Sequence, residues 1–115
     1  VVNRYLVADL ERLGLWNEEM LERLKYLDGN VSQIPEVPEE LKRKYVEAFD
    51  VDPIWALKLT AARGKWIDQS QSHNVFVKGT SGKLLSQIYV SAWKMGLKTT
   101  YYLRTLAASQ IEKST

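Results

Sequence analysis

Residues 73–104 decide the fold, and they read HNVFVKGTSGKLLSQIYVSAWKMGLKTTYYLR. Residues 73–78 are short and rich in β-forming side chains, whereas residues 84–95 repeat apolar side chains at helical spacing up to Gly96. Residues 97–104 are β-rich again. A strand, a helix and a strand within about thirty residues are typical of a βαβ unit, so we predict two parallel strands joined by a right-handed crossover.

This unit is too small to form a complete sheet. Parallel sheets are almost always covered on both faces, and two strands with one helix do not provide that cover. We therefore expect the missing strands to come from another segment or another chain. The predicted fold class is α/β, a mostly helical chain that ends in a βαβ unit.

Residues 1–72 are predicted to be helical. Apolar side chains at helical spacing run over residues 3–13 and stop at Gly14, a common helix-ending residue. Asn17 is a good N-cap for a second helix. The buried stripe predicted for that helix consists of Met20, Leu21, Leu24 and Leu27.

Two further helices are predicted after an irregular connector at residues 31–37. Pro38 opens the third helix. Its predicted inner face consists of Leu41, Tyr45, Ala48 and Phe49. Asp52 followed by Pro53 is typical of a helix start, so a fourth helix should run to about Gln69. That helix is apolar nearly all round, which predicts that something covers its outer side.

The two ends of the chain indicate that it is part of something longer. Val1 is not an initiator methionine, and the helical pattern begins almost at once. Residues 105–115 are small and polar, and we interpret them as a tail without a core. The predicted organisation is thus a helical segment at 1–72, a βαβ segment at 73–104 and a tail at 105–115.

Composition excludes several kinds of chemistry. The 115 residues include no cysteine, so disulfides, thiolate metal sites and cysteine nucleophiles within this chain are excluded. His73 is the single histidine, which excludes a histidine-rich metal site, and we predict no cofactor or metal in the chain. No apolar run approaches the roughly 20 residues of a membrane span, so we expect a cytoplasmic protein without a membrane partner.

The charges are unevenly distributed along the chain. Net charge is +2, with acidic residues in excess before Asp50 and basic residues in excess after it. Such asymmetry can indicate a nucleic-acid surface. Here the basic residues are scattered singly and do not form a phosphate-binding stripe, so we interpret them as solvated and predict no nucleic-acid partner.

Two short motifs resemble catalytic sites but fail on spacing. Residues 68–73 contain every residue type of a hydrolase triad, yet contiguous residues do not converge on one reacting atom. Residues 80–83 resemble the end of a phosphate loop, but Val77 and Leu84 stand where that motif needs glycine and a hydroxyl. His73 by itself is interpreted as a surface or hydrogen-bonded strand residue.

Tyr101 and Tyr102 are the remaining candidates, and they lie on the last predicted strand. Tyrosines on strands usually serve as packing aromatics, and neighbours on a regular strand point to opposite faces. A phenol can also lose an electron and a proton together, and two phenols in near contact can relay a radical. The residues alone leave both interpretations open.

The chain resembles the C-terminal barrel segment of class I ribonucleotide reductase large subunits. Three stretches carry this resemblance: WIDQSQS at 66–72, SGKL at 81–84 and GLKTTYYLRT at 96–105. The helical region that precedes the barrel end in this family is similar to YLVADL at 5–10, LGLW at 13–16 and LKY at 24–26. The resemblance covers essentially the whole chain.

The resemblance implies a fold and an activity. The family's large subunit reduces ribonucleoside diphosphates to deoxyribonucleotides in a ten-stranded α/β barrel, which the βαβ unit would help to complete. A cysteine thiyl radical starts the reaction, and the oxidising equivalent comes from a small subunit that carries a dimetal radical cofactor. Tyr101 and Tyr102 match the family's radical-transfer pair, with Tyr101 nearer the thiyl cysteine and Tyr102 nearer the small subunit. Stacking of the two rings would require a departure from strand geometry around residues 100–103.

The departures from the family pattern are also informative. The thiyl and reducing cysteines and the effector-binding region are absent from this chain, and His73 stands where the family usually has leucine. We therefore expect a fragment that is inactive alone and needs the rest of the large subunit. The alternative is a non-catalytic helical interaction module that shares ancestry with the reductase.

Overall fold

A computed structural model of the chain describes residues 2–79 and 81–106. The elements are α1 (Arg4–Arg12), α2 (Glu18–Tyr26), α3 (Glu39–Lys44), α4 (Pro53–Gly64), β1 (Val75–Val77), α5 (Gly82–Lys94) and β2 (Leu103–Thr105). They fall into two compact units, Val1–Glu47 and Ala48–Thr115. The fourth helix therefore shares a unit with the βαβ segment, and most of the predicted tail lies outside the described residues.

Asparagine side chains cap the starts of the first two helices. Asn3 Oδ1 accepts hydrogen bonds from the backbone N–H groups of Tyr5 and Leu6 at the start of α1. Asn17 Oδ1 accepts from the backbone N–H of Met20 at 2.8 Å, which confirms its predicted role at the start of α2. Gly14, just beyond α1, has a φ of 67°, a conformation that glycine adopts without strain.

The core of the first unit depends on an irregular segment as much as on helices. Its buried side chains are Leu6, Leu10, Met20, Leu24, Val31, Ile34, Val37 and Leu41. The predicted connector at residues 31–37 forms turns, and its three apolar side chains are 1–2% exposed. It is therefore a central part of this core.

A buried carboxylate ties α3 to α1. Asp9 is 7% exposed and accepts hydrogen bonds from Lys44 Nζ and the Tyr45 hydroxyl, both at 2.6 Å. It also forms an ion pair with Arg12 at 2.5 Å. The hydrogen bonds from Lys44 and then Tyr45 hold the pKa of Asp9 below its usual value, so the carboxylate stays charged.

The third helix is shorter than predicted. It ends at Lys44, and Ala48, expected on its inner face, is exposed. Phe49 packs edge-on against Phe76 in the second unit, with ring centroids 5.4 Å apart. The hydrogen bonds to Asp9 hold the last residues of the helix, and the chain leaves helical geometry there.

The core of the second unit is formed by α4, α5 and β1. Its buried apolar side chains are Leu57, Val75, Val77, Ile88 and Ala92. Thr60 on α4 is 1% exposed and is the buried polar residue of that helix. Pairing of β1 with β2 is parallel, with Val75 opposite Leu103 and Val77 opposite Thr105, as predicted for a βαβ unit.

The fourth helix also ends earlier than predicted, at Gly64 and not near Gln69. The Gln71 side-chain amide donates to the backbone carbonyl of Thr60 at 2.7 Å, and Arg63 Nε donates back to Gln71 Oε1 at 3.3 Å. These bonds cap the last turn from a segment that folds back over it. The sequence pattern does not reveal this cap because Gln71 acts from outside the helix.

The second strand begins later than predicted. Residues 97–104 were expected to be extended, but β2 starts at Leu103, and Tyr101 and Tyr102 lie immediately before it. The first predicted strand is likewise confined to its centre, Val75–Val77. Backbone hydrogen bonds join Tyr101 to His73 and Tyr102 to Val75, and they depart from a regular ladder just before β2.

Much apolar surface of the second unit is exposed. All three residues of β2 are exposed, as are aromatic side chains on and after the helices, including Trp55 (61%), Trp66 (80%) and Trp93 (74%). The outer side of α4 is thus uncovered in this chain, where the sequence predicts a cover. Across residues 2–79 and 81–106, none of the helices has both the length and the apolarity to span a bilayer.

Candidate functional site

The backbone at the two tyrosines is bulged. In a regular parallel ladder, the residue opposite Asn74 would donate its N–H to the His73 carbonyl and accept from the N–H of Val75. Here these two bonds belong to different residues: Tyr101 N donates to His73 O, and Val75 N donates to Tyr102 O, both at 2.8 Å. Two residues thus stand opposite one, which is the arrangement of a β-bulge.

The bulge brings the two tyrosine rings together. Their centroids are 4.2 Å apart with an interplanar angle of 55°, and the Tyr101 hydroxyl donates to the Tyr102 hydroxyl at 3.4 Å. Adjacent side chains on a regular strand would point to opposite faces. The departure from strand geometry that we predicted around residues 100–103 is therefore present. Both rings are more than half exposed.

The electrostatic surroundings keep Tyr101 protonated. Its hydrogen bond to the Tyr102 hydroxyl, together with desolvation, raises the pKa of Tyr101 above the usual value near 10. The guanidinium of Arg104 lies 5.0 Å from the centre of the Tyr102 ring, within the range of a cation–π contact. Tyr101 is thus a neutral phenol that donates to Tyr102, and the Tyr102 ring lies beside a positive charge.

A polar network on α4 anchors the segment opposite the tyrosines. His73 is 9% exposed, and its Nδ1 lies 2.8 Å from Thr60 Oγ1. Arg63 also donates to Thr60 Oγ1, at 3.0 Å. Thr60 Oγ1 thus contacts both the guanidinium of Arg63 and the imidazole of His73. Among the described residues, His73 Nε2 is the buried side-chain nitrogen or oxygen without a hydrogen-bond partner.

His73 is held as a neutral ring. Desolvation, and to a smaller extent the charge of Arg63, lowers its pKa below the usual value. The sequence predicted a surface or hydrogen-bonded residue, and the hydrogen-bonded description is the correct one. Its contribution to the site comes from the backbone, whose carbonyl accepts from Tyr101.

Asn74 is a site residue that the sequence analysis missed. Its side-chain Oδ1 accepts from the backbone N–H of Tyr102 at 3.3 Å. The two residues are 28 positions apart, and no local pattern marks an asparagine for such a contact. The contact becomes apparent only when the register of the two strands is known.

The other sequence motifs do not form a site. Gln71 is bonded to Thr60 and Arg63, so residues 68–73 do not converge as a triad. Ser81 caps α5, and Thr80, the first residue of the phosphate-loop resemblance, lies outside the described residues. Within the described part of the chain, no group of three or more histidine, aspartate or glutamate side chains is placed to hold a metal ion.

Comparison with known proteins identifies a family over almost the whole chain. The family model described as "Ribonucleotide reductase, barrel domain" matches residues 1–103. The ribonucleoside-diphosphate reductase subunit alpha of Chlamydia pneumoniae is 47% identical over 99% of this chain and 11% of its own length. The large chain of the Schizosaccharomyces pombe enzyme is 42% identical over 100% of this chain and 14% of its own length.

A solved structure shows the same fold. The alpha subunit of the Actinobacillus ureae class Id ribonucleotide reductase superposes with a TM-score of 0.84 and 30% identity. The match covers 94% of this chain and 21% of that one. The chain therefore spans between a tenth and a quarter of the length of these relatives.

Proposed function

The chain belongs to the ribonucleotide reductase barrel-domain family, and from that premise we propose that it acts as part of the large subunit of a ribonucleoside-diphosphate reductase. In this proposal Tyr101 and Tyr102 transfer a radical towards the substrate site. The observation that carries the proposal is the near contact of the two rings, with centroids 4.2 Å apart and a hydrogen bond between the hydroxyls.

The proposed transfer balances in electrons and protons. Tyr102 first loses one electron to the oxidised small subunit and its phenolic proton to an acceptor outside this chain. Tyr101 then gives one electron to the Tyr102 radical, and its proton moves along the hydrogen bond to the Tyr102 oxygen. Tyr102 is restored as a phenol, and Tyr101 is left as a neutral radical. A cysteine thiol of the remaining barrel returns a hydrogen atom to Tyr101 and becomes the thiyl radical.

Two features of the site support this order of events. The hydrogen bond runs from Tyr101 to Tyr102, which is the direction in which the proton must move. Arg104 beside the Tyr102 ring disfavours a positively charged radical there, because like charges repel. The electron and proton of Tyr102 should therefore leave together and give a neutral radical.

The exposed surface supports the proposal that the chain is completed by other parts of the protein. The two strands are parallel, and β2 is exposed on both faces, which is rare in a finished parallel sheet. We propose that the remainder of the large subunit adds the missing strands of a ten-stranded α/β barrel. That remainder would also supply the reactive cysteines and bind the ribonucleoside diphosphate. The radical would come from a small subunit with a dimetal cofactor, and assembly would take place in the cytoplasm.

The test uses the large subunit that contains this segment, mixed with its small subunit. CDP reduction should be abolished by Tyr101→Phe and by Tyr102→Phe, since phenylalanine keeps the ring and removes the ionisable hydroxyl. Tyr89→Phe, which alters an exposed tyrosine of α5, is the matched control and should remain active. Full activity of both site variants would make the pair structural and overturn the proposed radical relay.

A further inference from the structure

The bulge at the tyrosines leaves one backbone donor without its ladder partner. The His73 carbonyl is occupied by the N–H of Tyr101, so the N–H of Tyr102 has no place in the ladder. The side chain of Asn74 accepts that displaced N–H. The side-chain carbonyl of Asn74 thus replaces a backbone carbonyl as the acceptor at the point where the pairing shifts by one residue.

The backbone of Asn74 is fixed on both sides. His73 before it is buried and bonded to Thr60, and Val75 after it is 1% exposed in the core of the unit. Its side chain therefore extends from a rigid position and can hold the Tyr102 N–H in one place. This contrasts with the tyrosines themselves, which are more than half exposed.

The bulged and regular pairings place the rings differently. In the regular pairing, the N–H of Tyr102 would donate to the His73 carbonyl, and Tyr101 would shift by one position in the ladder. A one-residue shift moves a side chain to the opposite face of a sheet. The ring of Tyr101 would then point away from Tyr102, and the contact between the rings would be lost.

We propose that Asn74 is a positioning residue for radical transfer, because its side-chain carbonyl stabilises the bulged pairing that keeps the two rings on one side. This inference rests on the proposed function of the pair. Within the described part of the chain, Asn74 forms no hydrogen bond with either phenol oxygen. It acts through the backbone of Tyr102.

The test compares Asn74→Leu with Asn74→Asp in the complete large subunit, assembled with its small subunit. Leucine has a similar size but no acceptor, whereas aspartate retains an acceptor oxygen. Gln87→Leu on the exposed face of α5 is a matched change from amide to aliphatic side chain. Each variant also carries 3-aminotyrosine at position 101 or, separately, at position 102. This tyrosine analogue is more easily oxidised, so it retains the radical where electron paramagnetic resonance can measure it.

In the Asn74→Leu variant, the radical trapped at position 101 should fall at least about tenfold, since small misplacements of reacting groups cost factors of this size or more. The radical trapped at position 102 should remain, because its formation does not depend on the contact between the rings. With natural tyrosines, kcat for CDP reduction should fall and KM should stay unchanged. Asn74→Asp and Gln87→Leu should keep both radical signals.

Several outcomes would overturn the inference. Unchanged trapping at position 101 in Asn74→Leu would show that the acceptor is dispensable. Equal loss of both signals would show that Asn74 does not act through the contact between the rings. Loss of the position 101 signal in a folded Asn74→Asp variant would show that the effect does not depend on an acceptor oxygen at residue 74. Failure of the proposed function itself would be distinct, because Tyr101→Phe and Tyr102→Phe would then remain active.

Discussion

His73 is a buried neutral side chain, and one of its two ring nitrogens has a hydrogen-bond partner. Nδ1 is bonded to Thr60, Nε2 lacks a partner among the described residues, and desolvation lowers the pKa of the ring. The unfolded chain binds its histidine proton near pH 6.5, whereas the folded protein binds it only at lower pH. The unfolded state therefore carries more protons in that range. Stability should be full above about pH 6.5 and fall as the pH drops below it.

We predict that His73→Leu removes this pH dependence. Between pH 7.5 and 5 the free energy of unfolding of the natural chain should fall by about 1.4 kcal/mol for each unit by which the histidine pKa is depressed. The leucine variant should show little change in that range. Urea unfolding followed by circular dichroism at several pH values measures the difference.

The assignment is clear because His73 is the chain's single histidine and most carboxylates titrate at lower pH. Thr60→Val serves as the comparison, since it removes the hydroxyl bonded to Nδ1 but keeps the titrating ring. An equal fall in stability for the natural chain and His73→Leu would contradict the prediction.

At the level of single residues, the sequence predicted the tyrosine pair as the candidate site but not the residues that contact its backbone. The two tyrosines are adjacent in the sequence. Neighbouring side chains on a regular strand point to opposite faces, so contact between the two rings requires a break in strand geometry. Asn74 and Thr60 act across the fold, through partners 28 and 13 positions away. Such contacts depend on register, which a single sequence specifies only weakly.

Side-chain caps mark the starts of several helices, and Asn17 at the start of α2 is the clearest case. Its Oδ1 accepts from Met20 N at 2.8 Å, and Glu18 and Glu19 follow in the first turn of α2. We predict that Asn17→Ala lowers the free energy of unfolding by about 1 kcal/mol, because the N–H of Met20 loses its acceptor. Chemical denaturation of the chain measures this change.

Two matched variants define the effect of the cap. Asn17→Ser keeps an acceptor oxygen and should remain close to the natural chain. Gln33→Ala changes an exposed amide outside the helices and should alter stability by less than about 0.5 kcal/mol. A loss in Asn17→Ser as large as in Asn17→Ala would show that the hydrogen bond is not the cause.

Helix starts were more predictable than helix ends for a physical reason. Caps such as Asn17 and the Asp52–Pro53 pair are local, and the structure places helix starts at both. The ends of α3 and α4 depend on bonds from elsewhere, to Asp9 and from Gln71. The buried connector at residues 31–37 was missed as core because its apolar side chains follow neither helical nor strand spacing.

At the scale of the whole molecule, the exposed aromatic surface of the second unit predicts association. Large contiguous apolar patches on soluble proteins usually mark interfaces. We predict that the chain alone forms concentration-dependent oligomers in sedimentation velocity runs. Replacing Trp55 and Trp93 with glutamine should shift the distribution towards monomer, because both rings are mostly exposed.

The control for that prediction lies in the first unit. Tyr5 is 79% exposed on α1, and Tyr5→Gln should leave the oligomers unchanged. Adding the remainder of the large subunit should suppress self-association by covering the same surface. A chain that stays monomeric at every concentration would count against the incomplete barrel and in favour of a free-standing module.

The gap between the two phenol oxygens bears on the proposed radical transfer. At 3.4 Å it is longer than the 2.7–2.8 Å typical of a hydroxyl–hydroxyl hydrogen bond. A proton tunnels efficiently only over fractions of an ångström, and a deuteron over still less. If the pair acts as the proposed relay, proton transfer across this gap would be slow in the lone chain and faster where assembly shortens the distance between the two oxygens. Slow transfer before assembly would protect an unassembled subunit from carrying stray radicals into its own interior.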